Sequence, residues 1–133
     1  MYNGSCLCGN VVFTVTKFAE QMAHCHCVDC RKFHGAAFST FGQASTSDVY
    51  WSTGQEQLTT FVADNGSKRQ FCSHCGCSMT FQSANHSETI EIALATLDNN
   101  ETLIPDAHVF VESKVRWLTI DDSLPKYARN RHS

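Results

Sequence analysis

The sequence is poor in the features that would place a chain in a membrane, on nucleic acid or among disordered proteins. No apolar run comes near the roughly 18 residues a membrane-crossing helix needs. Positive charge is in deficit: 10 Lys and Arg stand against 13 Asp and Glu, a net charge of −3. No basic stripe or tail is present to draw the chain to nucleic acid. The opening "MYNGSCLCGN" lacks a basic region followed by an apolar stretch, so no secretory signal is read there and the cytoplasm is the expected compartment. Proline is scarce: Pro105 and Pro125 are the only two, and both fall in segments read as connections. A Ser-His-Asp order and a phosphate-cradling glycine loop are also missing. Hydrophobic residues make up 42% and charged residues 17% of 133 positions. That balance is ordinary for a globular protein, and the length suits a single domain over residues 1–133 with its own hydrophobic core.

A sustained helical period is the last absence. Alternation replaces it. "VVFTVT" (11–16) puts Val11, Phe13 and Val15 on one face, and "QLTTFV" (57–62), "TIEIALATL" (89–97), "HVFVE" (108–112) and "VRWLTI" (115–120) have period-two or β-branched character. Turn signals separate them, among them Gly9-Asn10, Asp64-Asn65-Gly66 and Asp98-Asn99-Asn100. The expected fold is all-β and mainly antiparallel, with about eight short strands and short helical turns. "VDCRKFHG" (28–35) is the best helical turn, with Gly35 as its stop; "SLPKYARN" near the end is a second. Phe13, Phe38, Phe41, Phe61, Phe71, Phe81, Phe110 and Trp117 are assigned to the core.

Cysteine is what the chain has in excess, with eight residues. They form three groups: Cys6 and Cys8; Cys25, Cys27 and Cys30; Cys72, Cys75 and Cys77. In a reducing compartment this favours metal ligation or thiol chemistry over disulfides. Residues two apart in a strand share a face, so Cys6-Leu7-Cys8 and Cys25-His26-Cys27 can each present two sulfurs side by side. Cys27-Val28-Asp29-Cys30 and Cys72-Ser73-His74-Cys75-Gly76 instead have C-x-x-C form, and Gly76 suits a turn with positive φ. Zinc takes four ligands in structural sites, and distant cysteine pairs signal it. Cys6, Cys8, Cys72 and Cys75 make one natural set. Cys25, Cys27 and Cys30 then remain as three thiolates with an open fourth position, the pattern of a catalytic zinc. Spacing alone leaves this division open: Cys77 or a histidine could close either site, and two closed structural zincs or four disulfides are the alternatives.

The motifs "GSCLCG", "HCHCVDCRKFHGAAF" and "KRQFCSHCGCSM", with the ending "HVFVESKVRWLTIDDSLPKY", resemble in order and spacing those of the glutathione-dependent formaldehyde-activating enzyme family, whose domain centromere protein V shares. The resemblance runs from Gly4 to Tyr127. It implies a small β-tent-like zinc domain with two Zn2+ sites: a structural one on Cys6, Cys8, Cys72 and Cys75, and a catalytic one on Cys25, Cys27 and Cys30. The implied activity is that of a carbon–sulfur lyase acting on glutathione and formaldehyde, giving S-hydroxymethylglutathione. Cys77 is additional to that pattern. The rival reading is a zinc-stabilised binding module with two structural metals and no catalysis.

Chemistry agrees with the enzyme reading. A zinc centre with three thiolates carries a net charge near −1 and suits a soft fourth ligand rather than water. A thiol bound there loses its proton, and the thiolate is the nucleophile. His26, Arg31, Lys32, His34 and Arg69 are the nearby cations expected to offset the added charge, and Arg can hold a carboxylate of glutathione bidentately. Of these, Arg69, His26 and Arg31 are the expected substrate-binding residues, Arg69 through the family pattern. Strand alternation sends His26 away from its flanking cysteines, which makes it a supporting residue rather than a ligand. His74 is expected to face solvent, and His24, His34 and His108 to pack.

Overall fold

The computed structural model describes residues 1–133. Ten strands and one helix follow along the chain: β1 (Tyr2–Ser5), β2 (Val12–Val15), β3 (Met22–Cys25), α1 (Val28–His34), β4 (Ser39–Ser45), β5 (Val49–Thr53), β6 (Leu58–Val62), β7 (Lys68–Cys72), β8 (Ser78–Gln82), β9 (Thr89–Ala93) and β10 (Ala107–Val109). The chain forms two compact units, one of Met1–Glu20 and Gly42–Leu103, the other of Gln21–Phe41 and Ile104–Ser133. The β-rich expectation holds. No helix is long and apolar enough to cross a membrane.

The first unit carries a three-stranded antiparallel sheet in the order β1-β2-β5. Alternation in β2 explains its core: Phe13 and Val15 are buried, while Val12 and Thr14 are half-exposed. The Phe13 ring lies 5.3 Å from that of Trp51, across the β2–β5 ladder. The same unit contains β6 to β9 and the second half of β4, in the order β4-β9-β8-β7-β6. The β6–β7, β7–β8 and β8–β9 pairs are antiparallel. Met79, Ile92, Ala93, Leu94 and Leu97 join Val11, Phe13 and Val15 in the core. Two sequence readings fail here. β9 ends at Ala93 and gives way to a 3-10 turn over Leu94–Thr96, so "TIEIALATL" is only half strand. Phe61 lies on β6, at the edge of the sheet, and is 57% exposed rather than core.

The second unit is built on β10, β3 and the first half of β4. β10 runs parallel to β3, with His108 opposite His24 and Val109 opposite Cys25, an exception to the antiparallel rule. "HVFVE" stops at Val109 because Phe110 takes a left-handed backbone (φ 58°) and opens a 3-10 turn over Val111–Ser113. "VRWLTI" forms no strand, and Trp117 is 77% exposed; both expectations are corrected. Its lysine neighbour explains the irregular path: Lys114 Nζ donates to the carbonyls of Val115 and Leu118 and so curls the segment on itself. The helix was legible. The Cys27 side chain caps its start by accepting from the Cys30 N–H, and Gly35 ends it at φ 60°, its amide donating to the Arg31 carbonyl.

Candidate metal centres

Two groups of sulfurs form, one in each unit. In the first, the sulfurs of Cys6, Cys8, Cys72 and Cys75 all lie within 4.8 Å of one another. Two turns of similar construction supply them. Cys6-Leu7-Cys8 is a turn, not the strand alternation expected: Gly9 (φ 83°) returns its amide to the Cys6 carbonyl at 3.1 Å. Gly76 (φ 78°) closes the other turn, its amide 2.7 Å from the Cys72 carbonyl. Both glycines adopt a conformation that a side chain disfavours. The Val11 N–H also donates to Cys6 Sγ at 3.3 Å.

The spacing of these sulfurs suits a tetrahedral ion. Cys6 and Cys8 are 3.5 Å apart and Cys8 and Cys72 are 3.8 Å apart. A disulfide needs about 2.05 Å, and all eight cysteines are free. The edge of a tetrahedron whose centre is about 2.3 Å from each sulfur is about 3.8 Å. Proton affinities point the same way. Burial opposes ionisation of Cys75, but the N–H groups of Cys77 and Cys8 and the neighbouring thiols Cys72 and Cys8 lower it to about 6. An N–H bond from Asn10 pulls Cys8 down, yet burial and the sulfurs of Cys6, Cys75 and Cys72 push it to about 12. One thiolate forms easily, and several together need a cation among them.

The second group is Cys25, Cys27 and Cys30, again with all sulfurs within 4.8 Å. Cys25 ends β3, Cys27 caps α1 and Cys30 lies buried in its first turn. The Cys30 N–H reaches Cys27 Sγ at 3.2 Å. Hydrogen bonding with Cys27 and Cys30, with burial, holds the Cys25 thiol far above the ordinary range. For Cys30 the bond with Cys25 and the Ser39 hydroxyl pull downward, but Cys27 and burial win and the thiol is raised. Three thiols forced together in this way resist ionisation until a positive ion joins them. No fourth Cys, His, Asp or Glu atom belongs to this group. Cys77, half-buried with Sγ 3.8 Å from the Ser78 carbonyl, belongs to neither.

The other expected residues divide. His26 is completely buried, against two aromatic partners: its ring lies 5.0 Å from Phe38 and 5.1 Å from His108. Arg31 follows Cys30 on α1, with Nε buried and without a hydrogen-bond partner. Arg69 lies in the first unit, buried on β7 with its guanidinium 4.6 Å above the Phe81 ring. His74 is exposed, as expected, and His34 is half-buried. His108 packs, but it also hydrogen-bonds Asp122 at 2.8 Å. Sequence reasoning passed over Asp122, because nothing in the spacing ties it to a histidine 14 residues earlier.

A β-rich chain with two separate thiol clusters, each able to hold a metal ion, is thus the class that fold and geometry define. The chain belongs to the glutathione-dependent formaldehyde-activating enzyme family, whose model matches residues 1–113. Among solved structures it is similar to the crystal structure of a Rhodobacter sphaeroides protein, a structural-genomics target, at 27% identity and a TM-score of 0.63, over 73% of this chain and 88% of that one. No curated protein matches the sequence.

Proposed function

We propose that the protein is a zinc-dependent carbon–sulfur lyase-type enzyme that joins a thiol, glutathione, to a small aldehyde, formaldehyde. The observation that carries this reading is the difference between the clusters: four sulfurs in one, three in the other with no further ligand residue. Cys6, Cys8, Cys72 and Cys75 would hold a structural Zn2+; Cys25, Cys27 and Cys30 would hold the catalytic one. Zinc bound by the trio would supply a Lewis-acidic position that favours the ionised form of a soft ligand such as a thiol. The family supplies the substrate class.

In the reaction the glutathione sulfur bonds to the formaldehyde carbon, the carbonyl π pair moves to oxygen, and the proton lost by the thiol ends on that oxygen. The chain's part is to hold the trio and to balance charge. The Cys30 N–H drains charge from Cys27. Arg31 and Lys32, in the last turn of α1, offset a fourth thiolate. Arg31 is assigned to glutathione; a guanidinium fits a carboxylate with two parallel hydrogen bonds. A reducing compartment such as the cytoplasm would keep these cysteines available for metal.

Cobalt(II) substitution tests the reading. Glutathione added to the cobalt protein is expected to increase the sulfur-to-metal charge-transfer absorption, and Cys30→Ser to abolish that increase. If the spectrum ignores glutathione, or Cys30→Ser responds as the wild type does, the trio is not a thiol site and both metals are structural.

A further inference from the structure

Beside the trio, in the same unit, runs a line of imidazoles that the proposed reaction does not use. β3 supplies His24, and His26 follows two residues on; β10 supplies His108. His24 packs its ring 4.8 Å from that of His108 but bonds elsewhere, with Nδ1 2.8 Å from the Thr40 hydroxyl. The line itself has three members. His26 Nε2 lies 2.8 Å from His108 Nδ1, and His108 Nε2 lies 2.8 Å from Asp122 Oδ2. His26 and His108 are 0% and 3% exposed. Asp122 is itself fixed: its other carboxylate oxygen accepts the Leu124 N–H at 3.1 Å. The segment that follows is strapped to β10, with the His108 N–H on the Pro125 carbonyl and the Tyr127 N–H on the His108 carbonyl, both at 2.9 Å.

This line has only one consistent direction. The hydrogen bond from His108 holds the Asp122 carboxyl below the ordinary carboxylate range, so Asp122 is ionised and only accepts. His108 Nε2 therefore carries the hydrogen. His26 Nδ1 is buried with no partner to receive a hydrogen, so the His26 hydrogen sits on Nε2 and His108 Nδ1 accepts it. A hydrogen on His26 Nδ1 would make it an unpaired buried donor, which is costly. The orphan atom and the carboxylate thus fix the same tautomers from opposite ends.

The backbone shows what the line holds. The His26 N–H donates to the Val109 carbonyl at 3.0 Å. Ring and main chain of His26 are both tied to β10, and His26 is the residue between Cys25 and Cys27. We propose that Asp122 and His108 are positioning residues: through the one-way chain His26→His108→Asp122 they lock the ring of His26 and so the Cys25-His26-Cys27 segment, from which two of the three clustered sulfurs hang. Groups that hydrogen-bond a metal's own ligands change its affinity by about 10- to 100-fold; Asp122 and His108 act through the segment that carries the ligands, so the low end of that range is expected. The inference rests on the reading of the trio as a zinc site.

The test uses the full-length zinc protein and two readouts. Nitrogen-15 correlation spectra of the histidines are expected to show Nε2–H tautomers for both His26 and His108. Asp122→Ala removes the acceptor; it is expected to mix the His108 tautomers and to speed zinc release from the trio to a chromogenic chelator about 10-fold. Asp122→Asn keeps an acceptor oxygen and is expected to restore both. Release from the four-cysteine group is the internal control and should not change. An Nδ1–H tautomer on His108 in the wild type, or Asp122→Ala with unchanged tautomers and unchanged release, overturns the proposal. A wild-type protein that binds one zinc instead of two sinks the catalytic reading by stoichiometry. The tautomer shift in Asp122→Ala still decides the positioning claim in that case.

Discussion

Gly54 offers a quantitative test of how the first metal centre is braced. It sits at φ 79°, and a Cβ built on it would stand 2.0 Å from the Asn10 carbonyl oxygen and 2.8 Å from the Asn10 carbonyl carbon. Asn10 belongs to the turn after Cys8, and its N–H points at the Cys8 sulfur. Gly9 is the natural control. It has φ 83° but no atom within 4 Å of the added carbon. Gly9→Ala is expected to lose only the left-handed backbone term, about 1–2 kcal/mol. Gly54→Ala bears that term plus a clash with rigid backbone, and forced overpacking adds about 1–3 kcal/mol. The sum, about 2–5 kcal/mol, is a large share of the roughly 5–15 kcal/mol that holds such a domain together. Urea unfolding of both variants at fixed free zinc provides the comparison, because bound metal adds its own stability. Gly54→Ala should be the less stable by at least about 1 kcal/mol and should release zinc from the four-cysteine group faster. Equal stabilities would refute the close approach of the two turns.

Two further outcomes are expected. With both metals bound, a chelator should remove zinc in two phases, the faster from the trio, since three protein ligands hold less firmly than four; a single phase for both metals would favour two equivalent structural sites. Burial raises the Glu91 carboxyl above its ordinary 4.5, with Arg69 pulling the other way. A raised acid binds its proton more tightly when folded, so its stabilising share is complete below about pH 4.5 and is lost as pH climbs through the raised value. Glu91→Gln should therefore gain stability over the wild type as pH rises from 4.5 toward 7. A stability difference that does not vary with pH would contradict the burial argument.

What the sequence alone determined is local. The C-x-x-C-G turn, the positive φ at Gly76 and the stop of α1 at Gly35 follow from nearest neighbours, because a turn's geometry is closed within a few residues; Cys6-Leu7-Cys8, read as strand, is a turn. The alternation in β2 and β6 was legible for the same reason, although it could not tell an edge strand from a central one, and Phe61 was misplaced. The grouping of the sulfurs was half legible: spacing and family pattern gave two sets, but only the folded chain brings Cys8 to 3.8 Å from Cys72.

Tertiary structure decided the rest. Strand alternation sent His26 away from its neighbours. Only the parallel seat of β10 beside β3 shows that this buries it against His108 and, through His108, ties it to Asp122. Trp117 looked like core by type, and lies exposed because Lys114 satisfies the carbonyls of its own segment and no strand partner claims it. Such outcomes depend on partners far apart in the chain, whose pairing is selected by burial and hydrogen-bond satisfaction across the whole fold rather than by any stretch read alone.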